Sequence, residues 1–321
     1  MDSALLLRVI NTTTGILGIL GNGLVCLVIV LERSMHTYTN ALILHQATID
    51  FLASIFIIGY EYIPRTSQVG ETPAGYLLCY LWNSRYFMFT FFVASTYSLV
   101  TVTFERFFAI VYPYRYQRYF DGRKAIAVCI ACIWAIVLTF RIYAFFQWSV
   151  DDGGKCGSRS VGGVLAVVLF LLQYVIPLSL MTYMYIRIGI EISRSANRII
   201  PTVSESDPQH NNNNARRLLR ARRNTLKTLV IVFITFVLCW SLNQVLFFMH
   251  NMGWQPLDFT STIYITSTAL LASNASVNPF IYAFKYKTFQ QALRRLLYRV
   301  TGRQDRLNNV TDDIPITGQI D

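Results

Sequence analysis

Three ionisable side chains lie inside segments that are otherwise apolar, and they are the residues of this sequence best suited to chemistry. Asp50 lies midway along one such segment, and Glu105 and Arg106 are adjacent near the end of the next. An ionisable group in the hydrocarbon of a membrane is energetically costly, so it marks a functional site by default. A carboxylate such as Asp50 could hold a proton, waters or a small cation, or it could be a neutral acid with hydrogen bonds alone.

Neighbouring polar residues indicate what these three groups can do. Residues at a depth comparable to that of Asp50 are Asn22, Ser95, Asn274 and Asn278. A central polar cluster can therefore form. Glu105 and Arg106 diverge by about 100° on a helix, yet a long arginine can fold back onto an adjacent carboxylate. We predict that the two side chains neutralise each other at rest, as a latch that a partner opens.

The elements that position these groups are predicted to be membrane-spanning helices. The chain has 321 residues, of which 54% are hydrophobic and 14% charged, whereas a soluble protein has about 25% charged residues. A span needs about 20 mainly apolar residues. The segments that qualify are Val9–Leu31, Asn40–Ile63, Leu77–Val111, Lys124–Trp148, Val161–Ile190, Thr225–His250 and Phe259–Phe284. A soluble nucleic-acid-binding protein would have to expose several such runs, so we predict no nucleic-acid partner.

The distribution of basic residues predicts the orientation and the domain organisation. Most of the 28 lysines and arginines follow the first, third, fifth and seventh segments, which places those connections in the cytoplasm. The prediction is a multi-pass plasma-membrane protein with its N-terminus outside and its C-terminus inside. Its parts are a short extracellular N-terminus (1–8), a seven-helix domain (9–284), an amphipathic membrane-surface helix (285–299) and a cytoplasmic tail (300–321).

Two basic segments and one cysteine pair complete this outline. Apolar residues at helical spacing after the seventh segment predict a short helix on the inner leaflet, in contact with lipid: Phe289, Ala292, Leu293, Leu296 and Leu297. The run from Ala215 to Lys227 predicts a cytoplasmic extension of the sixth helix, which contacts either anionic lipid or a partner protein. Cys79 and Cys156 both fall on the extracellular side, so we predict a disulfide between them.

The ordered set of motifs on the seven segments resembles that of the rhodopsin-like (class A) G-protein-coupled receptors. The matching residues are Gly21-Asn22-Gly23-Leu24-Val25, Ala47 to Asp50, Glu105-Arg106-Phe107, Trp134, Pro177 with Tyr185, Cys239-Trp240, and Asn278-Pro279-Phe280-Ile281-Tyr282. The resemblance implies an all-α fold, a seven-transmembrane helix bundle with a short amphipathic eighth helix on the inner leaflet. It also implies a receptor, not an enzyme, that binds an extracellular ligand and activates heterotrimeric G proteins.

The same resemblance implies roles for individual residues. Arg106 would release Glu105 and engage the G-protein α subunit, while Tyr185 and Tyr282 turn inward. Trp240 would sense ligand at the floor of the pocket. The residues implied as a sodium site in the inactive state are Asp50, Ser95, Asn274 and Asn278, and we predict no other ion or cofactor. Pro279 lacks an amide hydrogen, so the seventh helix can bend near Asn278.

Three departures from the family pattern accompany these matches. Phe107 replaces the tyrosine after the arginine, and Leu242 stands where the family usually has a proline that kinks the sixth helix. Cys79 lies two residues further from Arg106 than the family's disulfide cysteine does, so we expect a local bulge or a longer loop to absorb the difference.

Residues in the upper bundle predict the class of ligand. The seventh segment has no lysine for retinal, and Met88 stands where amine receptors carry an aspartate. The candidate pocket residues are Glu61, Arg85, Met88, Phe92, Arg141, Gln173, Asn243, Gln244 and Tyr264, although aromatic residues and methionine at helical spacing are more often core. Glu61 and Arg65 could simply pair with each other at i,i+4. We predict a short peptide ligand, held by Glu61 and the two upper arginines.

Two other functional classes are open to this sequence. An enzyme would need converging catalytic groups, but the four histidines are spread over two loops and two spans, so we predict no metal site. A Na⁺- or H⁺-coupled transporter could use Asp50 in mid-membrane. That class usually shows internal repeats, and none is visible here.

Overall fold

The computed structural model describes residues 3–120, 123–159, 161–199, 209–254 and 261–301. Their long helices are α1 (Ser3–Leu31), α2 (Tyr38–Tyr62), α3 (Tyr86–Val111), α4 (Arg123–Arg141), α5 (Gly163–Phe170 and Ile176–Ile199, joined by a π-helical turn at Leu171–Val175), α6 (Gln209–Asn251), α7 (Thr262–Lys285) and α8 (Lys287–Val300). The segments predicted as spans are thus mostly helical in the residues that the structure describes, and the third is interrupted at Arg85.

Short elements connect these helices. Single-turn or short helices cover Arg33–Met35, Pro73–Leu77, Pro113–Tyr119 and Tyr143–Gln147, and a π-helical segment covers Leu78–Asn83. Strands β1 (Trp148–Val150) and β2 (Cys156–Ser158) pair antiparallel, with Val150 opposite Cys156. The disulfide joins Cys79 to Cys156 with a Cα–Cα distance of 5.6 Å, so the predicted pairing is confirmed.

Six of the described helices are long and apolar enough to cross a membrane. Among the predicted spans, the helix that falls short is α7, because it carries serine and asparagine on its buried side, including Ser267, Asn274 and Asn278. The outer faces of the other helices are apolar and exposed, for example Leu20 at 66% and Leu238 at 64%. Such faces suit a lipid solvent, in which polar residues are directed to the bundle interior.

Close helix approach at small residues holds the centre of the bundle together. A Cβ atom added at Gly18 of α1 would lie 2.9 Å from the Cβ of Ser54 on α2. One added at Gly21 would lie 2.9 Å from the Cβ of Pro279 on α7. Glycine spacing of this kind lets helix backbones pack closely in membranes, and here it seats α1 against both α2 and α7.

The third predicted span is not a continuous helix. Arg85 adopts a left-handed conformation with φ 54°, and regular α-helix begins at Tyr86 rather than at Leu77. The π-helical segment just before this break contains Cys79. The irregular backbone therefore absorbs the two-residue displacement of the cysteine that the sequence showed.

Other boundaries also differ from those predicted. Helix α1 begins at Ser3, so residues 3–8 are helical and not an irregular extension. Helix α6 begins at Gln209, so it contains the whole predicted extension from Ala215 to Lys227. It runs to Asn251 as one helix, which agrees with leucine in place of proline at position 242. Residues 1–2 and the predicted tail from 302 onwards lie outside the described residues.

Helix α8 packs against the bundle through its first turns. Phe289 and Ala292 are buried, whereas Leu297 is 53% exposed. Buried Glu32, at the end of α1, lies 3.7 Å from Arg295 and 3.3 Å from Arg299. These ion pairs hold α8 beside α1. The location of α8 on a membrane surface stays a prediction.

Candidate functional site

The Glu105–Arg106 pair is closed. Arg106 Nε lies 2.5 Å from Glu105 Oε2, and its Nη2 lies 2.5 Å from Oε1. Glu105 is fully buried, and the arginine side chain is 23% exposed. A bidentate contact of this kind is the strongest form of carboxylate–guanidinium pairing, so the long side chain does fold back along α3 as predicted.

Two residues that the sequence did not single out complete this group. Tyr116, on the short helix after α3, donates to Glu105 Oε1 at 2.6 Å, and Thr39 of α2 donates to the same atom at 3.1 Å. Burial and the adjacent Glu105 carboxylate raise the pKa of Tyr116, which keeps its hydroxyl a donor. Thr39 also contacts Arg106 Nη2. Together these residues form the latch: Glu105, Arg106, Thr39 and Tyr116.

Tyr185 and Tyr282 face a common small space beside the latch. The Tyr185 hydroxyl lies 2.8 Å from Thr103 Oγ1 on α3. Both tyrosines line a cavity of about 20 Å³ together with residues of α2, α3 and α6. A space of this size holds about one water molecule.

The polar cluster around Asp50 is assembled differently from the prediction. Asn278 Nδ2 donates to Asp50 Oδ2 at 2.8 Å, and Gln46 Nε2 lies between the carboxylate and Ser95, 3.0 Å from Asp50 Oδ2 and 2.5 Å from Ser95 Oγ. Asn22 instead donates to the carbonyl of Ala275 at 2.7 Å. Gln46 was missed because a lone glutamine in an apolar segment is not part of the motif.

This arrangement does not fit the sodium ion that the sequence predicted. An ion bridging Asp50 and Ser95 would lie between their oxygen atoms, where Gln46 Nε2 now lies. The cluster also presents the amide nitrogen of Asn274, which has no partner among the described residues and cannot ligate a cation. The amide nitrogen of Gln46 therefore lies between Asp50 and Ser95, where a hard cation needs oxygen ligands.

At the other end of the bundle, which carries the disulfide, a cavity of about 50 Å³ opens between α1, α2, α3, α6 and α7. Six of the nine predicted pocket residues line it: Glu61, Arg85, Met88, Phe92, Asn243 and Tyr264. Residues that the prediction lacked include Asn11, Tyr60, Phe89 and Thr268. Asn11 begins Asn11-Thr12-Thr13, which has the pattern of an N-glycosylation signal, so a role inside the bundle is not evident from the sequence.

Glu61 pairs with Asn11 and not with Arg65. Asn11 Nδ2 donates to Glu61 Oε1 at 2.8 Å, and Asn11 is only 8% exposed. Pairing at i,i+4 fails because α2 ends at Tyr62, before Arg65. The nitrogen that would carry a glycan is thus engaged inside the cavity. Burial and the neighbouring positive charge of Arg85 lower the pKa of Arg65.

Arg85 and Arg141 both lack a carboxylate partner within the described part of the chain. The Arg85 guanidinium lies over the Tyr60 ring at 6.0 Å, and its Nε is buried without a hydrogen bond. Arg141 is 3% exposed, 5.1 Å from the Tyr86 ring, and its Nη1 donates to the Tyr143 hydroxyl at 2.8 Å. Cation–π contacts replace ion pairing at both sites.

Three predicted pocket residues do not line the cavity. Arg141 is separated from it by Phe89, whose ring lies 5.9 Å from the guanidinium. Gln173 and Gln244 are buried but lie outside the lining. Helix rotation decides this, because residues at similar depth point into different interhelical spaces.

Trp240 lies below the cavity. It is 2% exposed, and its ring is 6.4 Å from Phe92, which lines the cavity floor, and 5.7 Å from Phe236. Trp240 is therefore connected to the cavity through Phe92 and does not line it. A displacement of Phe92 would be passed to α6 through this edge-to-face contact.

Comparison with known proteins agrees with this architecture. Residues 21–282 match the family described as 7 transmembrane receptor (rhodopsin family). The chain belongs to this family. Receptors of this family are multi-pass plasma-membrane signalling proteins rather than enzymes, which favours the receptor over the transporter interpretation.

Individual relatives cover most of the chain. It is 29% identical to the allatostatin-A receptor of Bombyx mori over 299 residues, which are 88% of this chain and 77% of the relative. It is 27% identical to the substance-K receptor of Bos taurus (87% and 72%) and 25% identical to the RYamide receptor of Drosophila melanogaster (89% and 62%). The similarity therefore extends across the whole bundle.

Proposed function

We propose that this receptor binds an extracellular peptide at the disulfide end and activates a heterotrimeric G protein at the Arg106 end. The closed latch is the observation that carries the proposal. At one end of the bundle, Glu105 binds Arg106 and also accepts hydrogen bonds from Thr39 and Tyr116. A G-protein α subunit that binds the freed guanidinium would shift the equilibrium towards the open state.

The orientation belongs to the same proposal. The disulfide supports an extracellular location for its end of the bundle, because disulfides persist in oxidising compartments. The basic residues of α8, such as Arg294, and of the lower part of α6, such as Arg223, support a cytoplasmic location for the opposite end. On this basis the N-terminus is outside and the C-terminus inside.

The charged residues that line the cavity support the proposal of a ligand with charged ends. The relatives are named as receptors of allatostatin-A, substance K and RYamide, and a peptide is the ligand class that we propose here. A cavity of about 50 Å³ admits only the end of such a chain. Glu61 and Arg85 line it with opposite charges, and Arg85 has an unpaired buried Nε that a ligand oxygen can satisfy.

Nucleotide exchange tests the coupling half of the proposal. The full chain, purified into lipid nanodiscs, is screened with a synthetic peptide library against every class of G-protein α subunit. A responding peptide should lose most of its exchange activity in Arg106→Ala and keep it in Arg33→Ala, an exposed arginine at the same end. Sodium or proton uptake without exchange, unchanged by Arg106→Ala, would instead establish a transporter.

Charge-removing variants test the ligand half. Glu61→Gln and Arg85→Met should each raise the half-maximal peptide concentration about tenfold or more, since a hydrogen bond to a charged group is worth about 1.5–3 kcal/mol. Arg141→Met should have a smaller effect, because that side chain lies behind Phe89. Glu71→Gln, at the same end but outside the cavity, is the matched control. An unchanged response in all three variants would rule out these charges as ligand contacts.

A further inference from the structure

The space at the centre of the bundle is occupied by a side chain of α2. Gln46 is fully buried, as are Asp50 and Ser95. Its Nε2 carries two hydrogens, and one is available for each neighbour: Asp50 Oδ2 at 3.0 Å and Ser95 Oγ at 2.5 Å. Nitrogen is the amide atom that fits here, because a carboxylate oxygen is an acceptor.

Hydrogen bonds from two side-chain amide groups therefore stabilise the Asp50 carboxylate. The same Oδ2 atom accepts from Gln46 on α2 and from Asn278 on α7. Donated hydrogen bonds favour the charged form of a carboxylate without a counter-ion. Three oxygen atoms of the cluster have no partner within the described residues, namely Asp50 Oδ1, Gln46 Oε1 and Asn22 Oδ1. Water molecules can donate hydrogen bonds to such acceptors without adding a charge to the cluster.

We propose that the Gln46 amide takes the place of the sodium ion in this receptor, so that neither its stability nor its ligand affinity responds specifically to Na⁺. The amide links α2 to α3 directly and, through Asp50 and Asn278, to α7. An ion can leave such a cluster, whereas a side chain stays attached to its helix. Rearrangement of α7 at Pro279 would then be independent of the sodium concentration.

Thermal unfolding of the purified full chain tests this inference without any ligand or G protein. The unfolding temperature is measured in sodium chloride and in choline chloride at equal ionic strength. Wild type should give the same value in both salts. Gln46→Ala should empty the bridging position and let sodium bind. Its unfolding temperature should rise by about 2–4 °C in sodium chloride at concentrations well above the dissociation constant.

Matched variants separate this effect from general destabilisation. Gln46→Leu fills a similar volume without an amide, so it should remain insensitive to sodium. Adding Asp50→Asn to Gln46→Ala should abolish the sodium response. A sodium-specific rise in wild type that Asp50→Asn removes would overturn the proposal, and so would a Gln46→Ala protein that folds but does not respond. If Gln46→Ala does not fold, Gln46→Ser replaces it, with the same expectations. Because no readout involves signalling, failure of the proposed function would leave these outcomes unchanged.

Discussion

At the scale of single residues, the latch is held by atoms from three separate elements. Glu105 accepts from its neighbour Arg106, from Thr39 on α2 and from Tyr116 on the short helix after α3. Phe107 cannot supply the hydroxyl of the usual tyrosine, and it packs instead against Phe108 and Tyr112. The hydroxyl contacts of the carboxylate come from Thr39 and Tyr116, and the one from Tyr116 is the shorter.

Removing that hydroxyl should weaken the resting state. Tyr116→Phe deletes a hydrogen bond to a charged group, worth about 1.5–3 kcal/mol, and keeps the ring. Ligand-independent nucleotide exchange should therefore rise, by about tenfold for each 1.4 kcal/mol lost from the closed state alone.

The matched control for this prediction is Tyr114→Phe. Tyr114 lies on the same short helix but is 89% exposed, so its variant should behave as wild type. Basal exchange that is equal in both variants would show that the Tyr116 hydroxyl does not hold the latch.

At the scale of elements, helix contacts explain why the polar groups meet. The glycines of α1 bring it close to α2 and α7, and Asn22 then reaches the carbonyl of Ala275 at 2.7 Å. The irregular backbone before α3 has a comparable role at the disulfide end. The left-handed Arg85 turns the chain so that Cys79 meets Cys156 while Met88 and Phe92 face the cavity.

Gly18→Ala should destabilise the bundle. The new methyl group would overlap Ser54 Oγ and lie 2.9 Å from Ser54 Cβ. Ser54 is itself held by a 2.7 Å bond to the Asp50 carbonyl. Overpacking of this kind costs about 1–3 kcal/mol, which exceeds or matches the gain in helix propensity of about 1 kcal/mol. The unfolding temperature of the purified chain should fall.

Gly23→Ala is the control on the same helix. Its methyl group would lie 3.5 Å from Phe51 Cε2, an ordinary van der Waals distance, so the unfolding temperature should stay constant or rise. A Gly18→Ala protein as stable as Gly23→Ala would show that α1 does not need this close approach.

At the scale of the whole molecule, the two ends of the bundle differ in what their charges contact. The ion pairs between described residues lie at the Arg106 end, where Glu105 and Glu32 contact three arginines. At the disulfide end, Arg85 and Arg141 rest on aromatic rings instead. Arg106 is thus ion-paired at one end, whereas Arg85 and Arg141 at the other end have no carboxylate partner among the described residues.

The sequence by itself determined the features that depend on local pattern. Hydropathy predicted the helices, because a span must be apolar over its full length. Adjacency predicted the Glu105–Arg106 pair, and chemistry predicted the disulfide between Cys79 and Cys156. These predictions need no knowledge of how one helix is rotated against another.

Only the tertiary structure decided which distant side chains meet. Gln46, Tyr116, Thr39 and Asn11 were absent from the predicted sites, yet each donates a hydrogen bond to a functional carboxylate. Their positions depend on the rotation and axial offset of packed helices, which close glycine contacts and the break at Arg85 set. Because a single hydrogen-bond donor can occupy the place of an ion, that packing is also the basis of our proposal that Gln46 replaces sodium beside Asp50.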